Sequence, residues 1–224
     1  MDKIFIGYDE REAEVLHVCI QSILETSKRP VSIIPLTLKS LEGVYCESHD
    51  DGSNAFIYSR FLVPYLSDFR GKALFIDGDM VLRSDINELF STFDKMKAVQ
   101  VVKHDYKTRQ ETKYLGAKNE NYPRKNWSSV ILWNCEHPQN ACLTPDLIQQ
   151  SSGKFLHRFS WLEDDLVGEL SNTWNWLPDE FGKRDDAKLL HYTLGAPCFP
   201  DYADTPMASE YNINKMKMLR VDRF

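Results

Sequence analysis

Short apolar runs alternate with a helical period at the start of the chain. Residues 3–7 are apolar and β-prone, and residues 31–36 form a second run of this kind. Between them, apolar side chains recur at i, i+3, i+4, i+7 and i+8 from Leu16, which predicts a helix over residues 12–26. This β-α-β order predicts two parallel strands joined by a right-handed crossover.

The same pattern continues along the chain. Helices are predicted at residues 55–66, where Pro64 should end or kink the helix, at 84–90 with a cap from Ser84-Asp85, at 163–170, and after Thr144-Pro145. Further strand-length apolar runs lie at residues 72–76, 80–82, 98–102, 130–133 and 189–192. Strands mixed with helices, with no repeat and no linker, predict one α/β domain.

Three polar regions lack any period. Residues 41–53 are predicted to form a loop, and the tail from residue 203 has few apolar anchors. Residues 103–125 are rich in Lys, Asn and Tyr and are too long for an ordinary connection. This segment is therefore predicted to be either a functional loop or partly disordered.

Composition narrows the classes of function. The chain has 224 residues and a net charge of −6 without a basic tail, which argues against a nucleic-acid partner. No apolar run is long enough to span a membrane, and the first residues lack a signal-peptide pattern. The five cysteines are scattered without CxxC spacing, which fits reduced thiols and a cytoplasmic protein.

Two carboxylates follow the strand-like run at residues 72–76. Asp77 and Asp79 flank Gly78 at its end, and ligands of open α/β sheets bind beyond the carboxyl ends of strands. Hard divalent cations prefer such oxygen ligands and can bridge them to a diphosphate. The alternative is a plain turn, since Asp-Gly is common in turns. His191, far along the chain, is a candidate nitrogen ligand for a mixed site.

The order of these motifs resembles glycosyltransferase family 8, the group of glycogenin and bacterial lipooligosaccharide galactosyltransferases. The shared features are a first strand followed by Asp (FIGYD, residues 5–9), the Tyr58-Ser59-Arg60 helix, the DxD strand with Asp85-Ile86 after it, and a late His-x-x-x-Gly at residues 191–195. The resemblance covers most of the chain. It implies a GT-A fold, a Rossmann-like α/β domain whose mixed, mostly parallel sheet is flanked by helices.

The resemblance also implies that different parts of the chain bind different ligands. Residues from about 1 to 100 would bind nucleotide and metal, those from about 101 to 200 would bind sugar and acceptor, and residues 201–224 would form a tail. The implied reaction is metal-dependent, retaining transfer from a nucleotide sugar, with UDP-sugar as donor and Mn²⁺ or Mg²⁺ as the ion, to a glycan or small-molecule acceptor.

Site roles carry over position by position from this resemblance. Asp77, Asp79 and His191 would hold the metal, with Asp77 also facing the ribose. The other donor-binding residues would be Tyr8 and Asp9 at the base, Arg60, Asn126 and Gly195. Glu163 and Asp164 would be the catalytic carboxylates, Asp164 sitting near the anomeric carbon, although acidic residues at that place can also cap a helix.

Two departures from the family pattern bear on the donor. Asn126-Trp127-Ser128-Ser129 stands where the family has Asn-Ala-Gly at the sugar pocket. Gly195 is followed by Ala196 where the family has a diphosphate-binding lysine. Another cation could substitute for it, the nearest in sequence being Lys183, Arg184 and Lys188. The segment 103–125 is either a solvated loop or a lid that orders over the donor.

Two other functions fit part of this pattern. The first is a non-catalytic protein that binds nucleotide or glycan, which the missing lysine favours. The second is a sugar nucleotidyltransferase, but the Gly-Gly-x-Gly-Thr-Arg motif expected near the first strand is absent. No GxGxxG follows that strand either, which argues against a dinucleotide-binding fold.

Overall fold

A six-stranded mixed sheet in the order β2-β1-β3-β6-β5-β7 organises the molecule, and β4 and β8 pair separately. The structure is a computed structural model that describes residues 1–49, 54–108, 110–116 and 118–220. The strands are β1 (Asp2–Gly7), β2 (Val31–Leu36), β3 (Lys72–Ile76), β4 (Met80–Leu82), β5 (Val99–Val101), β6 (Val130–Asn134), β7 (Val167–Glu169) and β8 (Leu189–His191). The α-helices are α1 (Ala13–Thr26), α2 (Val63–Leu66), α3 (Ile86–Phe90), α4 (Pro145–Gln150), α5 (Gly153–His157), α6 (Pro178–Phe181) and α7 (Ala208–Met218).

The strand directions place several loops at one edge of the sheet. Strand β1 pairs in parallel with both β2 and β3, as the β-α-β order predicts. Strand β6 runs antiparallel to β3 and β5, and β7 is parallel to β5. The residues after β1 and β3 and those before β6 therefore meet at the same edge.

The two faces of the sheet carry separate cores. Phe5 and Phe75 pack on one face with Trp133, against residues of α2, α4 and α5. Ile4 and Ile76 point to the other face, against α1 and α3. Because side chains alternate along a strand, a fully apolar strand buries both faces. All five of these side chains are at most 2% exposed.

Capping residues set the helix starts as predicted. The Asp85 carboxylate accepts a hydrogen bond from the Asn87 backbone N–H at 3.1 Å at the start of α3. The Thr144 hydroxyl accepts one from the Leu147 N–H at 3.2 Å at the start of α4. Each bond satisfies an amide that has no partner inside the helix.

The predicted helix at 55–66 forms only in its second half. A 3-10 helix covers Ser59–Leu62, and α2 follows with Pro64 in its first turn. Proline is tolerated there because the amide it lacks would have no partner within the helix.

The predicted helix at 163–170 is wrong. A 3-10 turn at Asp164–Leu166 leads into the short strand β7 beside β5. Gly168 explains the difference: a Cβ there would lie 2.8 Å from the Gln100 side chain, so this stretch packs closely against its neighbour as a strand.

The tail contains a helix that the apolar pattern did not reveal. Helix α7 packs against α1, and the Tyr211 hydroxyl donates to Glu14 Oε1 at 3.0 Å. Tyr211 is 1% exposed, whereas Met216 is 69% exposed, so the anchor is an aromatic residue that the pattern overlooked. Residues 50–53 of the predicted loop and residues 221–224 of the predicted tail lie outside the described residues.

None of the helices formed by residues 1–49, 54–108, 110–116 and 118–220 combines the length and the apolar character needed to cross a membrane.

Candidate metal centre

Asp77 and Asp79 lie where the chain leaves the large sheet and enters β4. The backbone N–H of Asp77 donates to the carbonyl of Ser129 at 3.0 Å, which ties the end of β3 to the start of β6. A Cβ on Gly78 would lie 2.6 Å from the carbonyl oxygen of Gly7, which is backbone and cannot swing away. Glycine therefore allows the ends of β1 and β3 to approach and the two carboxylates to face one side.

The β4–β8 pair brings His191 to these carboxylates. His191 lies opposite Met80 in the register, and the Tyr192 N–H donates to the Asp79 carbonyl at 3.0 Å. His191 Nε2 is 3.3 Å from Asp79 Oδ1 and 3.9 Å from Asp77 Oδ2. One potential ligand atom from each of the three residues lies within 4.8 Å of the others.

Asn175 orients the imidazole. Its buried amide Nδ2 donates to the Ser129 hydroxyl at 2.8 Å, so its Oδ1 is left to accept from His191 Nδ1 at 3.0 Å. With the proton on Nδ1, the lone pair of Nε2 points toward Asp77 and Asp79. Metal-binding histidines are commonly held in this way by a partner on the other nitrogen.

The described protein groups around Asp77 and Asp79 do not fully offset the negative charge of the two carboxylates. Burial, reinforced by Asp79, raises the pKa of Asp77 to about 6, although Arg60 acts in the opposite direction. Among the described residues, the buried Asp79 Oδ1 has no hydrogen-bond donor of its own and faces His191 Nε2. With the proton on Nδ1, the Nε2 lone pair and the two carboxylates face one another, and a cation between them would relieve their repulsion. This donor set fits a divalent cation with mixed oxygen and nitrogen ligands.

Arg60 is a buried cation that contacts the centre through Asp77. It is 4% exposed, its guanidinium lies 5.2 Å and 5.0 Å from the ring centroids of Phe56 and Phe75, and its Nη1 is 2.8 Å from Asp77 Oδ1. The same nitrogen donates to the Ser128 carbonyl at 2.9 Å. Arg60 thus holds the Asp77 carboxylate in place and supplies positive charge to the cavity lining.

A cavity opens above the three residues. Its lining is mostly polar and includes residues from five separate parts of the chain: Asn54, Ile57, Arg60, Asp77, Asp79, Lys113, Tyr114, Tyr122, Asn126, Ser128, Ser129, His157 and Thr193. Asn54 also lines a neighbouring cavity, whose wall contains Tyr8 and Asp9. The two cavities adjoin at Asn54, near the carboxyl ends of β1 and β3.

Tyr8 and Asp9 both line the neighbouring cavity, but the Asp9 carboxylate is already engaged. Oδ1 accepts from the Arg11 backbone N–H and Nε, and Oδ2 accepts from Arg11 Nη2 at 2.6 Å and the Ala55 N–H at 3.0 Å. Burial raises the pKa of Asp9, but these hydrogen bonds outweigh it, and the pKa lies below its usual value. Its role as a base contact stays a prediction and would require a rearrangement of Arg11.

Asn126 and Gly195 occupy different surroundings. Asn126 lines the main cavity with a left-handed backbone (φ 61°), and its amide donates to the Tyr106 hydroxyl at 2.7 Å. Gly195 packs against the ring of Tyr202, where a Cβ would lie 2.4 Å from that ring, and it is not part of the cavity lining. The donor-binding roles of both residues stay predictions.

Glu163 and Asp164 lie outside the main cavity. The Asp164 side chain is 86% exposed and its Oδ1 is 2.5 Å from Arg124 Nη2. Both residues precede β7, whereas the main cavity opens where the parallel strands end. Their catalytic role stays a prediction that would require Asp164 to exchange Arg124 for the donor.

Several residues of the site, in the cavity lining or behind it, escaped the sequence analysis. Lys113 and Tyr122 come from the polar segment 103–125, and Asn175 has no motif of its own. His157 lines the wall with its Nδ1 2.7 Å from the Ser128 hydroxyl, and burial lowers its pKa to about 3, so the ring is neutral near pH 7. The only signal in the sequence was the unusual length of the segment 103–125.

Solved structures share this architecture at low sequence identity. The galactosyltransferase LgtC, in complex with donor and acceptor sugar analogs, is 16% identical with a TM-score of 0.61, over 99% of this chain and 98% of LgtC. The glycosyltransferase GlyE of Streptococcus pneumoniae is 13% identical with a TM-score of 0.63, over 96% of this chain and 60% of GlyE. Mouse xyloside xylosyltransferase 1 is 13% identical with a TM-score of 0.54, over 87% of this chain and 98% of that structure. The chain therefore has the GT-A glycosyltransferase fold.

A much nearer relative defines the family. Protein CDI of Arabidopsis thaliana is 40% identical over 223 residues, an alignment that covers 96% of this chain and 86% of the relative. The chain belongs to the same family as Protein CDI. No protein-family model matches the chain.

Proposed function

We propose that this protein is a metal-dependent glycosyltransferase that moves a sugar from a nucleoside diphosphate sugar to a hydroxyl acceptor. The observation that carries the proposal is the cluster of Asp77, Asp79 and His191 at the carboxyl edge of a GT-A sheet. The order of sequence motifs, which resembles glycosyltransferase family 8, supports it further.

The residues at this edge have complementary tasks. Asp77, Asp79 and His191 would hold a divalent cation, with Mn²⁺ preferred and Mg²⁺ as its substitute. When bound, such an ion stabilises negative charge on a departing diphosphate. Arg60 and Asn175 hold two of the ligands in position, and the polar wall with Asn126 and Thr193 would bind the donor. Positioned charges of this kind commonly supply the largest part of the rate enhancement.

A uridine diphosphate sugar is the donor that we propose. The cavity past Asn54 has room for a base beside Tyr8, whose ring can stack on it. Asp9 would accept from a base N–H once Arg11 has moved away from its carboxylate. The choice of uracil rests on the family resemblance, because stacking and one acceptor do not by themselves select it.

The first prediction concerns nucleotide binding. UDP with Mn²⁺ is expected to raise the melting temperature of the purified protein, and UDP with EDTA is not, because the diphosphate needs the ion as a bridge. At a ligand concentration of about 100 Kd the stabilisation is about 2.7 kcal/mol, which corresponds to about 5–10 °C for a chain of this size. Thermal shift with UDP, GDP, CDP and ADP, confirmed by isothermal titration, measures the preference.

A clear preference for GDP would contradict the uridine assignment, and equal binding with EDTA would contradict the metal role. Incubation with UDP-hexoses and mixed glycan acceptors, followed by measurement of released UDP, separates an enzyme from a protein that only binds the nucleotide. Binding without any release, by transfer or by hydrolysis, would favour the non-catalytic alternative.

The second prediction concerns stereochemistry. Retention of the anomeric configuration is expected, as the family resemblance implies, so an α-linked donor should give an α-linked product. Asp164→Asn should slow transfer while UDP affinity stays unchanged, because a carboxylate near the anomeric carbon would contact only the sugar. Proton NMR of the product gives the configuration, and Asp165→Asn is the neighbouring control. A β-linked product would overturn the assignment of retention, and unchanged transfer in Asp164→Asn would remove Asp164 from the mechanism.

A further inference from the structure

Lys113 lies in the main cavity together with Asp77 and Asp79. Its Nζ is 3.3 Å from the Thr193 hydroxyl, two residues beyond His191. Within the described part of the chain no carboxylate oxygen comes within 4.0 Å of this ammonium, although Asp79 and Asp77 are its strongest electrostatic partners. Burial lowers the pKa of Lys113 below its usual value. The ammonium group is therefore a cation held at the cavity wall without a close ion pair.

Backbone contacts on both sides hold Lys113 in place. Thr112 forms a β-bridge with Lys118, and the Tyr114 N–H donates to the Leu194 carbonyl at 2.8 Å. The Tyr114 ring stacks on Phe199 with a centroid distance of 5.1 Å. The segment that carries Lys113 is thus attached to the stretch that follows His191.

The cations nearest to Gly195 in sequence are committed elsewhere. Lys183 pairs with Asp185 at 3.1 Å at the surface, and the partly buried Arg184 pairs with Asp186 at 2.6 Å. Lys188 pairs with Glu88 at 2.7 Å. None of the three lines the main cavity. These residues are poorly placed to compensate an anion bound beside Asp77 and Asp79.

The charge balance of the cavity requires one more cation. A divalent ion would be neutralised by the two carboxylates, and Arg60 is already paired with Asp77. A diphosphate brings more than one negative charge into this partly buried space. Unpaired buried charge is costly, so a further cation within reach is needed. Lys113 is the cavity-lining cation that is left.

We propose that Lys113 binds the diphosphate of the nucleotide, so that the segment 103–125 contributes a residue to the donor site. This assignment rests on the proposed function. In this assignment, Lys113 takes the role of the lysine that the family has after Gly195, although it comes from a different part of the chain. Tight donor binding then depends on the position of the segment that carries Lys113.

The test compares Lys113→Met, Lys113→Arg and Lys118→Met by isothermal titration. Lys118 lies in the same segment, but its side chain is 79% exposed and pairs with Glu120, so it controls for local disturbance. In the presence of Mn²⁺, Lys113→Met is expected to bind UDP about 10- to 100-fold more weakly, since a charge-assisted hydrogen bond is lost. Lys113→Arg should recover most of the affinity, and Lys118→Met should match the wild type.

A second titration separates this role from a structural one. With Mn²⁺ alone, Lys113→Met should bind the ion at least as tightly as the wild type, because a neighbouring positive charge has been removed. A lysine that only balances the two carboxylates would instead leave UDP affinity unchanged once Mn²⁺ is bound, and that result overturns the assignment. Equal loss in Lys118→Met would also overturn it. Failure of the wild type to bind UDP would reject the proposed function together with this inference. If the wild type binds UDP with Mn²⁺ and Lys113→Met binds it equally well, only this inference is rejected.

Discussion

Asp79→Asn is expected to abolish metal-dependent sugar transfer, with a loss of at least about 1,000-fold. A bound ion contributes several kcal/mol to transition-state stabilisation, and about 4 kcal/mol corresponds to this factor. The substitution keeps the shape of the side chain but removes the charge of a buried oxygen that has no hydrogen-bond donor of its own among the described residues. The free protein should fold normally, because the amide keeps the volume of the side chain and relieves repulsion from Asp77.

The measurement combines transfer rates with thermal shift in the presence of Mn²⁺ and UDP. Asp185→Asn is the matched control, since Asp185 is 87% exposed and pairs with Lys183 at the surface. Retained metal-dependent stabilisation in Asp79→Asn would show that Asp77-Gly78-Asp79 is only a turn. A normal melting temperature without ligand, combined with lost activity, distinguishes loss of the ion from loss of the fold.

Arg60→Met is expected to produce the largest loss of stability. Removal of one partner from a buried ion pair costs about 3–5 kcal/mol, because the other charge is left buried and unpaired. For a chain of this size the melting temperature should fall by about 10 °C or more. Arg60 is 4% exposed, and the carboxylate of Asp77 that it contacts is 12% exposed, so solvent screens this pair very little.

Addition of Mn²⁺ should restore more stability to Arg60→Met than it adds to the wild type, since the ion would replace the missing positive charge at Asp77. Thermal unfolding with and without Mn²⁺ measures this difference. Lys183→Met removes a cation from the surface pair with Asp185, whose side chains are 74% and 87% exposed, and should cost no more than about 1 kcal/mol. A similar loss in both variants, or no extra gain from Mn²⁺, would contradict the role given to Arg60.

Apolar runs and cap residues were enough to predict several strands and helix starts from the sequence alone. The predicted strands at 31–36 and 72–76 match β2 and β3 residue for residue. In β3 the reason is burial on both faces, which requires an almost continuously apolar strand. Asp85 and Thr144 marked helix starts for an equally local reason. The DxD pair could be detected in the sequence because two carboxylates, one residue apart, directly follow a strongly apolar strand.

Tertiary structure decided which distant residues share the centre. The antiparallel β4–β8 pair sets the distance from His191 to Asp79, and the orientation of that imidazole depends on Asn175, which no local pattern singles out. The helix expected at residues 163–170 failed because packing beside β5 outweighed a weak local preference.

Local sequence therefore determined where strands, helix starts and the carboxylate pair lie, since those depend on neighbours in the chain. Only the folded chain decided the rest. Lys113 reached the cavity through contacts of its segment with Leu194 and Phe199, about eighty residues away, and Tyr211 anchored α7 by packing on α1. Such long-range contacts depend on the shape and charge of surfaces that exist only after the sheet has formed, which is why periodicity and spacing do not reveal them.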